Sequence, residues 1–186
     1  MGTYPDLKSF QVPRSPLTKK VAEERDRVLS DEEITQISEA LSTKAEWAEA
    51  LFFFQLDLIT GGRMAELLRT RWEESDDRFG TVKLYSSKTK KWRTIKAPSA
   101  ATLIANRKAA AHGGTTRVLT HPDHWYRDIL GQASESVGIR YGQRVPGGWT
   151  THDLCHTCLT NLAIAGVPMG LRNTLVTPRS WRHKNI

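Results

Sequence analysis

One apolar segment in the first half of the chain constrains the fold more than any other feature. From about Lys44 to Ile59 the sequence predicts a helix whose apolar side chains cover most of its circumference. Such a helix must be buried on most of its sides, so we expect it at the centre of the core. Glu49 and Asp57 interrupt the segment, and the pair Gly61 and Gly62 ends it.

The rest of the pattern predicts further helices and one small hairpin. Ser30 and Glu33 form an S-x-x-E capping box, which is typical of a helix start. Period-two alternation in Thr81–Tyr85 and again in Trp92–Ile95 predicts two strands joined by a polar turn. Further helices are expected at Met64–Leu68, Ala100–Ala110, Asp123–Val137 and from Thr150 or Thr151 to Ala165. The fold class is therefore mainly α (α+β), a helical bundle with a small antiparallel hairpin or sheet.

The charge balance indicates the kind of partner. Lys and Arg outnumber Asp and Glu by 27 to 20, and the net charge is +7. Such an excess suits a polyanion, most often nucleic acid, although a merely basic protein would show it too. No stretch approaches the roughly 18 apolar residues of a membrane helix, and the N-terminus lacks the pattern of a secretory signal. We therefore expect a cytoplasmic protein with no membrane partner.

Three short segments carry residues that could bind a ligand or take part in a reaction, and the first contains Arg63. This arginine follows the double glycine at a helix start, where its planar fork could bind a phosphate bidentately. Glu66 lies one turn later on the same side and could orient the guanidinium. An ordinary surface ion pair is the alternative interpretation of these two residues.

The second segment is the lysine-rich turn of the predicted hairpin. Lys88 lies there with Lys90, Lys91 and Arg93 close by. A lysine on a hairpin can enter a nucleic-acid groove and protonate an alkoxide leaving group, and its neighbours could neutralise backbone phosphates. Alternatively, the lysines only keep an edge hairpin from aggregating.

The third segment places His152, Cys155 and His156 at i, i+3 and i+4, so all three share one face of a helix. This face could bind a phosphate, with imidazole as base or hydrogen-bond donor. It could also hold a metal through His, Cys and His ligands, but a structural zinc site usually takes four ligands. Packed or surface histidines are the third interpretation.

The three segments in this order resemble the catalytic domain of the tyrosine recombinases, also called phage integrases. The match runs from about Arg27 to Pro168. In that family a T-G-x-R-x-x-E-L segment comes first, and Arg63 matches its first catalytic arginine and Glu66 its acidic residue. Lys88 matches the hairpin lysine that acts as general acid for the leaving 5′ oxygen. His152 and His156 match the first and last positions of the H-x-x-R-H box.

The resemblance implies a reaction without metal or small-molecule cofactor. A tyrosine hydroxyl attacks a DNA phosphodiester, which gives a 3′-phosphotyrosine intermediate and a free 5′ hydroxyl. Two arginines stabilise the charge of the transition state. Double-stranded DNA is the implied substrate, and other recombinase protomers are implied partners.

The sequence departs from the family pattern at two essential positions. Cys155 occupies the place of the second arginine and supplies neither its fixed charge nor its forked donors. No tyrosine follows the histidine box, since the four tyrosines are Tyr4, Tyr85, Tyr126 and Tyr141. A front domain that clamps DNA in the family is also not expected before Arg27.

These observations predict three regions and a function. Residues 1–27, polar and carrying three prolines, form a linker or disordered tail, residues 28–168 form the recombinase-like domain, and residues 169–186 form a divergent tail. We expect the DNA-binding domain of a site-specific recombinase or integrase that is catalytically defective as it stands. A non-enzymatic DNA-binding regulator is the alternative, and so is a small metal protein that uses His152, Cys155 and His156.

Overall fold

The computed structural model describes residues 27–87, 89–111 and 115–167. Within these ranges the chain forms six α-helices and a three-stranded sheet. The helices are α1 (Asp31–Ser42), α2 (Ala48–Thr60), α3 (Met64–Leu67), α4 (Ala100–Ala110), α5 (Asp123–Ser136) and α6 (Thr151–Ile164). The strands are β1 (Ser75–Asp76), β2 (Thr81–Ser86) and β3 (Lys91–Lys96). The expected mainly α fold with a small antiparallel sheet is confirmed.

Helix α2 is the central helix of the bundle, as its apolar circumference predicted. It packs against α1, α4, α5 and α6. Phe53 and Phe54 are fully buried on it and reach neighbours in different directions. The Phe53 ring lies 5.0 Å from that of Tyr126, and the Phe54 ring lies 5.8 Å from that of Trp149, both centroid to centroid. The helix begins slightly later than expected, because a short 3-10 turn, Ala45–Trp47, precedes it.

Local capping signals fix the ends of the helices. The capping box of Ser30 and Glu33 forms at the start of α1. Gly61 ends α2 with a φ of 55°, a left-handed conformation that glycine adopts at little cost. At the start of α6 a second capping box joins Thr150 to Asp153. Asp153 is buried and occupies this helix start, which fixes the position of the residues that follow it.

The sheet is antiparallel throughout, with strand order β1–β2–β3. The hairpin of β2 and β3 was predicted, whereas β1 is only two residues long and too short to give a periodic signal. One face of the hairpin is buried through Val82, Leu84 and Ile95. Side chains alternate along a strand, so Tyr85 and Trp92 lie on the opposite face, where they are paired across the two strands.

A buried glutamate joins four parts of the bundle. The Glu49 carboxylate of α2 forms an ion pair with Arg107 of α4. It accepts hydrogen bonds from the backbone N–H of Thr120 at 2.5 Å and from the Thr120 hydroxyl at 2.7 Å. It also accepts a hydrogen bond from the Tyr126 hydroxyl of α5. Burial alone would raise the pKa of Glu49, but the hydrogen bonds from Tyr126 and Thr120 and the charge of Arg107 bring it below its ordinary value. The sequence had shown Glu49 only as an interruption of an apolar helix.

The predicted division into three regions stays a prediction. Residues 1–26 and 168–186 lie outside the described residues, and they include most of both expected tails. Arg27, at the start of the described part, pairs with Glu33 of α1. No helix among the described residues is both long enough and apolar enough to cross a bilayer.

Candidate DNA phosphate site

Two arginines from different parts of the chain meet on one buried carboxylate. Glu66 of α3 accepts a hydrogen bond from Nη1 of Arg63 at 3.2 Å through Oε1. Its other oxygen, Oε2, accepts one from Nη2 of Arg93 at 2.5 Å. The side chain of Glu66 is 5% exposed, that of Arg93 is 14% exposed, and that of Arg63 is 34% exposed. Arg63 is therefore the most exposed side chain of this trio.

The double glycine explains how Arg63 reaches this position. Gly61 turns the chain at the end of α2, and Arg63 then caps α3 in extended conformation. A Cβ atom on Gly62 would lie 2.7 Å from Cγ of the buried Leu67, so a larger residue there would push α3 away. The glycine pair thus allows the close packing that brings Arg63 and Glu66 together.

The hairpin pattern predicted that Arg93 would be exposed to DNA, but the structure places it in a different environment. Sequence reasoning assigned it, with Lys90 and Lys91, to DNA phosphates. In the structure its side chain is largely enclosed and is bonded to Glu66, whereas Lys90 and Lys91 are exposed at the turn. Lys90 has a φ of 53°, an uncommon left-handed conformation for a residue with a side chain. Lys88, the expected general acid, lies outside the described residues.

The histidines lie on α6, beside the arginine cluster. The rings of His152 and His156 are 5.1 Å apart, centroid to centroid, and meet edge to face. Burial lowers the pKa of His152, and the nearby charges of His156 and Arg63 lower it further, while Asp153 opposes them. His152 is therefore held toward the neutral imidazole, which can donate one hydrogen bond and accept another.

Cys155 lies on the same helix, one turn after His152, and is buried, as is Cys158 one turn later. Burial and the Asp57 carboxyl raise the pKa of the Cys155 thiol to about 12. The same causes raise the pKa of Cys158 to about 12, and its Sγ lies 3.6 Å from the carbonyl oxygen of Ile59. Both thiols are therefore neutral at physiological pH, and neither can replace a fixed positive charge.

Sequence reasoning missed Asp57, which lies on the face of α2 that packs against α6. Its side chain is fully buried, and neither carboxylate oxygen has a hydrogen-bond partner among the described residues. Burial raises its pKa well above the ordinary range; the charge of Arg93 opposes this rise and the Glu66 carboxylate adds to it. The only available signal was an aspartate inside an otherwise apolar helix, a pattern that marks an unusual buried charge without naming its role.

Hydrogen bonds join three of the predicted site residues, Arg63, Glu66 and Arg93. The charge of Arg63 also acts on His152 and on Cys155, which lie on α6. His156 joins them through its ring contact with His152. The described residues contain no group of three His, Cys, Asp or Glu side chains placed to hold a metal ion. The alternative of a metal site on His152, Cys155 and His156 therefore gains no support from the geometry.

Comparison with known proteins identifies the family. The model of the phage integrase family matches residues 27–172. The chain therefore belongs to the phage integrase family, the tyrosine recombinases that the three motifs had indicated. A search of curated proteins found no match.

Solved structures show the same fold at low sequence identity. The catalytic core of lambda integrase is 18% identical with a TM-score of 0.62, over 80% of this chain and 89% of that one. A lambda integrase dimer bound to a COC′ core site is 16% identical with a TM-score of 0.65, over 82% of this chain and 57% of that one. The Tn1549 transposon integrase in complex with transposon right end DNA is 14% identical with a TM-score of 0.68, over 83% and 58%. The chain thus spans less than two thirds of these two DNA-bound proteins.

Proposed function

We propose that this chain is the DNA-binding catalytic domain of a site-specific recombinase, and that as it stands it binds double-stranded DNA without cleaving it. Its relatives would carry out DNA integration and recombination by strand breakage and rejoining through a phosphotyrosine intermediate. The observation that supports this most is the meeting of Arg63 and Arg93 on Glu66, with His152 close enough for the charge of Arg63 to lower its pKa. The natural setting would be the cytoplasm, with other recombinase protomers as partners on the DNA.

The geometry of the site suits a phosphodiester. Glu66 is bonded to both arginines and so fixes the direction of the Arg63 fork, which is partly open to solvent. A neutral His152 adds a hydrogen-bond donor without requiring a second charge at this point. The exposed Lys90 and Lys91 would bind neighbouring phosphates of the backbone and make the affinity depend on salt. The general-acid role of Lys88 rests on the family resemblance.

Two features argue against cleavage by this chain alone. Cys155 is neutral where the family has its second arginine, and the loss of one preorganised donor costs on the order of 100- to 1000-fold in rate. The three tyrosines within the described residues all take part in packing or hydrogen bonding inside the domain. Tyr85 packs on Trp92, Tyr126 bonds to Glu49, and Tyr141 packs on Trp149, with burial raising the pKa values of the last two well above normal.

DNA binding over a range of salt concentrations tests the first half of this proposal. We expect the wild-type chain to bind a fluorescent duplex, and we expect Arg63→Ala to weaken binding and to reduce the slope of log affinity against log salt by about 0.9. Arg127→Ala is the matched control, because Arg127 of α5 is half exposed, pairs with the exposed Asp123, and neither bonds to Glu66 nor lines the neighbouring cleft. Absence of duplex binding even at low salt would refute the proposal.

A nicked suicide substrate tests the second half. After incubation with this DNA, denaturing electrophoresis should show no covalent protein–DNA product. A covalent product would contradict the defect. Its mapping to a tyrosine by mass spectrometry would then show which residue, or which protomer, acts as the nucleophile.

A further inference from the structure

An exposed aromatic pair lies on the outer face of the hairpin, and nothing in the proposed phosphate site uses it. Trp92 of β3 is 57% exposed, an unusual fraction for so large an apolar side chain. It lies directly across the strands from Tyr85, and the two ring centroids are 5.2 Å apart. The two ring planes are inclined at 51°, so Tyr85 contacts the indole while more than half of the Trp92 surface remains open to solvent.

This pair opens into a shallow cleft that borders the phosphate site. The cleft has a volume of about 130 Å³ and is lined by Glu66, Arg69, Thr70, Glu74, Lys83, Tyr85 and Trp92. Glu66 belongs to both places, since it lines the cleft and bonds to Arg63 and Arg93. A DNA strand with a phosphate at Arg63 would therefore bring its adjoining nucleotide to the mouth of this cleft.

The charges around the cleft favour an anionic partner over a basic or apolar one, and the aromatic pair among them favours a nucleic acid. Arg69 and Lys83 line it, and Lys90 and Lys91 follow on the same hairpin. Glu66 is already bonded to two arginines, and Glu74 accepts a hydrogen bond from the backbone N–H of Arg71. Aromatic rings between cations are the arrangement by which proteins hold unpaired bases, because every base offers a flat face for stacking.

We propose that Trp92, supported by Tyr85, is a stacking platform for an unpaired nucleobase next to the phosphate held at Arg63. This inference rests on the proposed DNA binding and adds a substrate feature to it. Bases within an intact duplex have their faces covered by their neighbours, so the platform acts only on a base that has left the stack. The chain should therefore prefer a duplex with a short unpaired tract over the same duplex fully paired.

Affinity measurements on two DNAs test the platform. One is an intact duplex, and the other has the same sequence with a gap of a few unpaired nucleotides. Trp92→Ala should weaken binding to the gapped DNA by about 5- to 100-fold and leave binding to the intact duplex within about twofold. Trp92→Phe, which keeps a ring, should retain most of the affinity for the gapped DNA.

Phe79 provides a matched control within the same sheet. It lies in the turn between β1 and β2, is 70% exposed and does not line the cleft, so Phe79→Ala should leave both affinities unchanged. Both alanine variants replace exposed side chains, and equal thermal midpoints would show that they remain folded. A fluorescent 2-aminopurine in the gap should be quenched by the wild-type chain and not by Trp92→Ala.

The outcomes separate this inference from the proposed function. Failure of the wild-type chain to bind any duplex at low salt would refute the DNA-binding proposal itself. Duplex binding with no difference between Trp92→Ala and Phe79→Ala on gapped DNA would refute the platform alone. If Trp92→Ala changes only the sedimentation of the free protein, the aromatic face is a contact between copies of the chain, and the platform is wrong.

Discussion

Asp57 of α2 raises the pKa of the Cys155 thiol of α6 where these two helices pack together, and both groups are held toward their protonated forms. The Asp57 carboxyl is fully buried without a hydrogen-bond partner among the described residues. The thiol beside it cannot satisfy it, because a neutral thiol is only a weak donor. A cation at position 155 would bring a positive charge toward this carboxylate, which the neutral cysteine does not supply.

Asp57→Asn should make the protein more stable at neutral and alkaline pH. Because the pKa of Asp57 is raised in the folded state, the folded protein binds this proton more tightly than the unfolded chain does. The contribution of this bound proton to the free energy of unfolding is therefore fully present below the unfolded pKa of about 4, and it is lost as the pH rises toward the folded pKa. The variant should gain about 1–3 kcal/mol in the free energy of unfolding at pH 8 and show a flatter pH dependence. Urea denaturation at several pH values measures both, and the exposed Asp123→Asn should change neither.

Cys155→Arg should strengthen duplex binding, because the new guanidinium gains the Asp57 carboxylate as a partner and adds a charge beside Arg63. We expect about tenfold higher affinity and a salt slope steeper by about 0.9. The larger side chain carries a packing cost of about 1–3 kcal/mol, which the ion pair offsets in part. Cys155→Met, similar in polarity to the thiol, is the control. If the affinity gain persists undiminished in the double variant with Asp57→Asn, the pairing of positions 57 and 155 is wrong.

Glu66→Gln should destabilise the fold, because two arginines share this buried carboxylate and an amide cannot satisfy both. The expected cost is about 1–3 kcal/mol in the free energy of unfolding. Glu73→Gln is the matched control, since Glu73 forms a 3.6 Å ion pair with Arg71 on the surface, where such pairs contribute about 0–1 kcal/mol. Equal losses in the two variants would show that the Glu66 cluster has no special role in stability.

Glu49→Ala should cost about 3–5 kcal/mol, because Arg107 and Tyr126 would lose their buried partner together. The pKa of Glu49 is lowered in the folded state, so its contribution is present above the unfolded pKa of about 4.5 and is lost as pH falls through the folded value. The wild-type chain should therefore lose stability in acid, and the variant should lose less over the same pH range. Calorimetric melting between pH 3 and 7 compares them. An equal loss of stability with falling pH in both proteins would show that Glu49 is not the group responsible.

Local sequence patterns predicted most of the elements, since periodicity and capping act within a few residues. The capping box at Ser30, the hairpin around Lys90 and the helix that begins at Thr151 all formed as expected. The strand Ser75–Asp76 could not be predicted, because two residues carry no period and the strand exists only by pairing with Thr81 and Val82.

The candidate site was predicted in part. The spacing of Arg63 and Glu66 and of His152 and His156 indicated two local pairs, and the order of the motifs indicated that they belong together. The bond from Arg93 to Glu66 was not predictable, because the two residues are 27 positions apart and meet only through the fold of the hairpin. The exposed stack of Tyr85 and Trp92 likewise depends on strand register.

The sequence by itself determined the family, the helical core and the chemical types at the site, since each of these follows from residues close together in the chain. The tertiary structure alone decided which charges are buried and what they face. A pKa depends on desolvation and on charges within a few ångströms, and those neighbours come from distant segments. For this reason Glu49 has partners in three other parts of the bundle, while Asp57, eight residues later on the same helix, is a buried acid without a hydrogen-bond partner among the described residues.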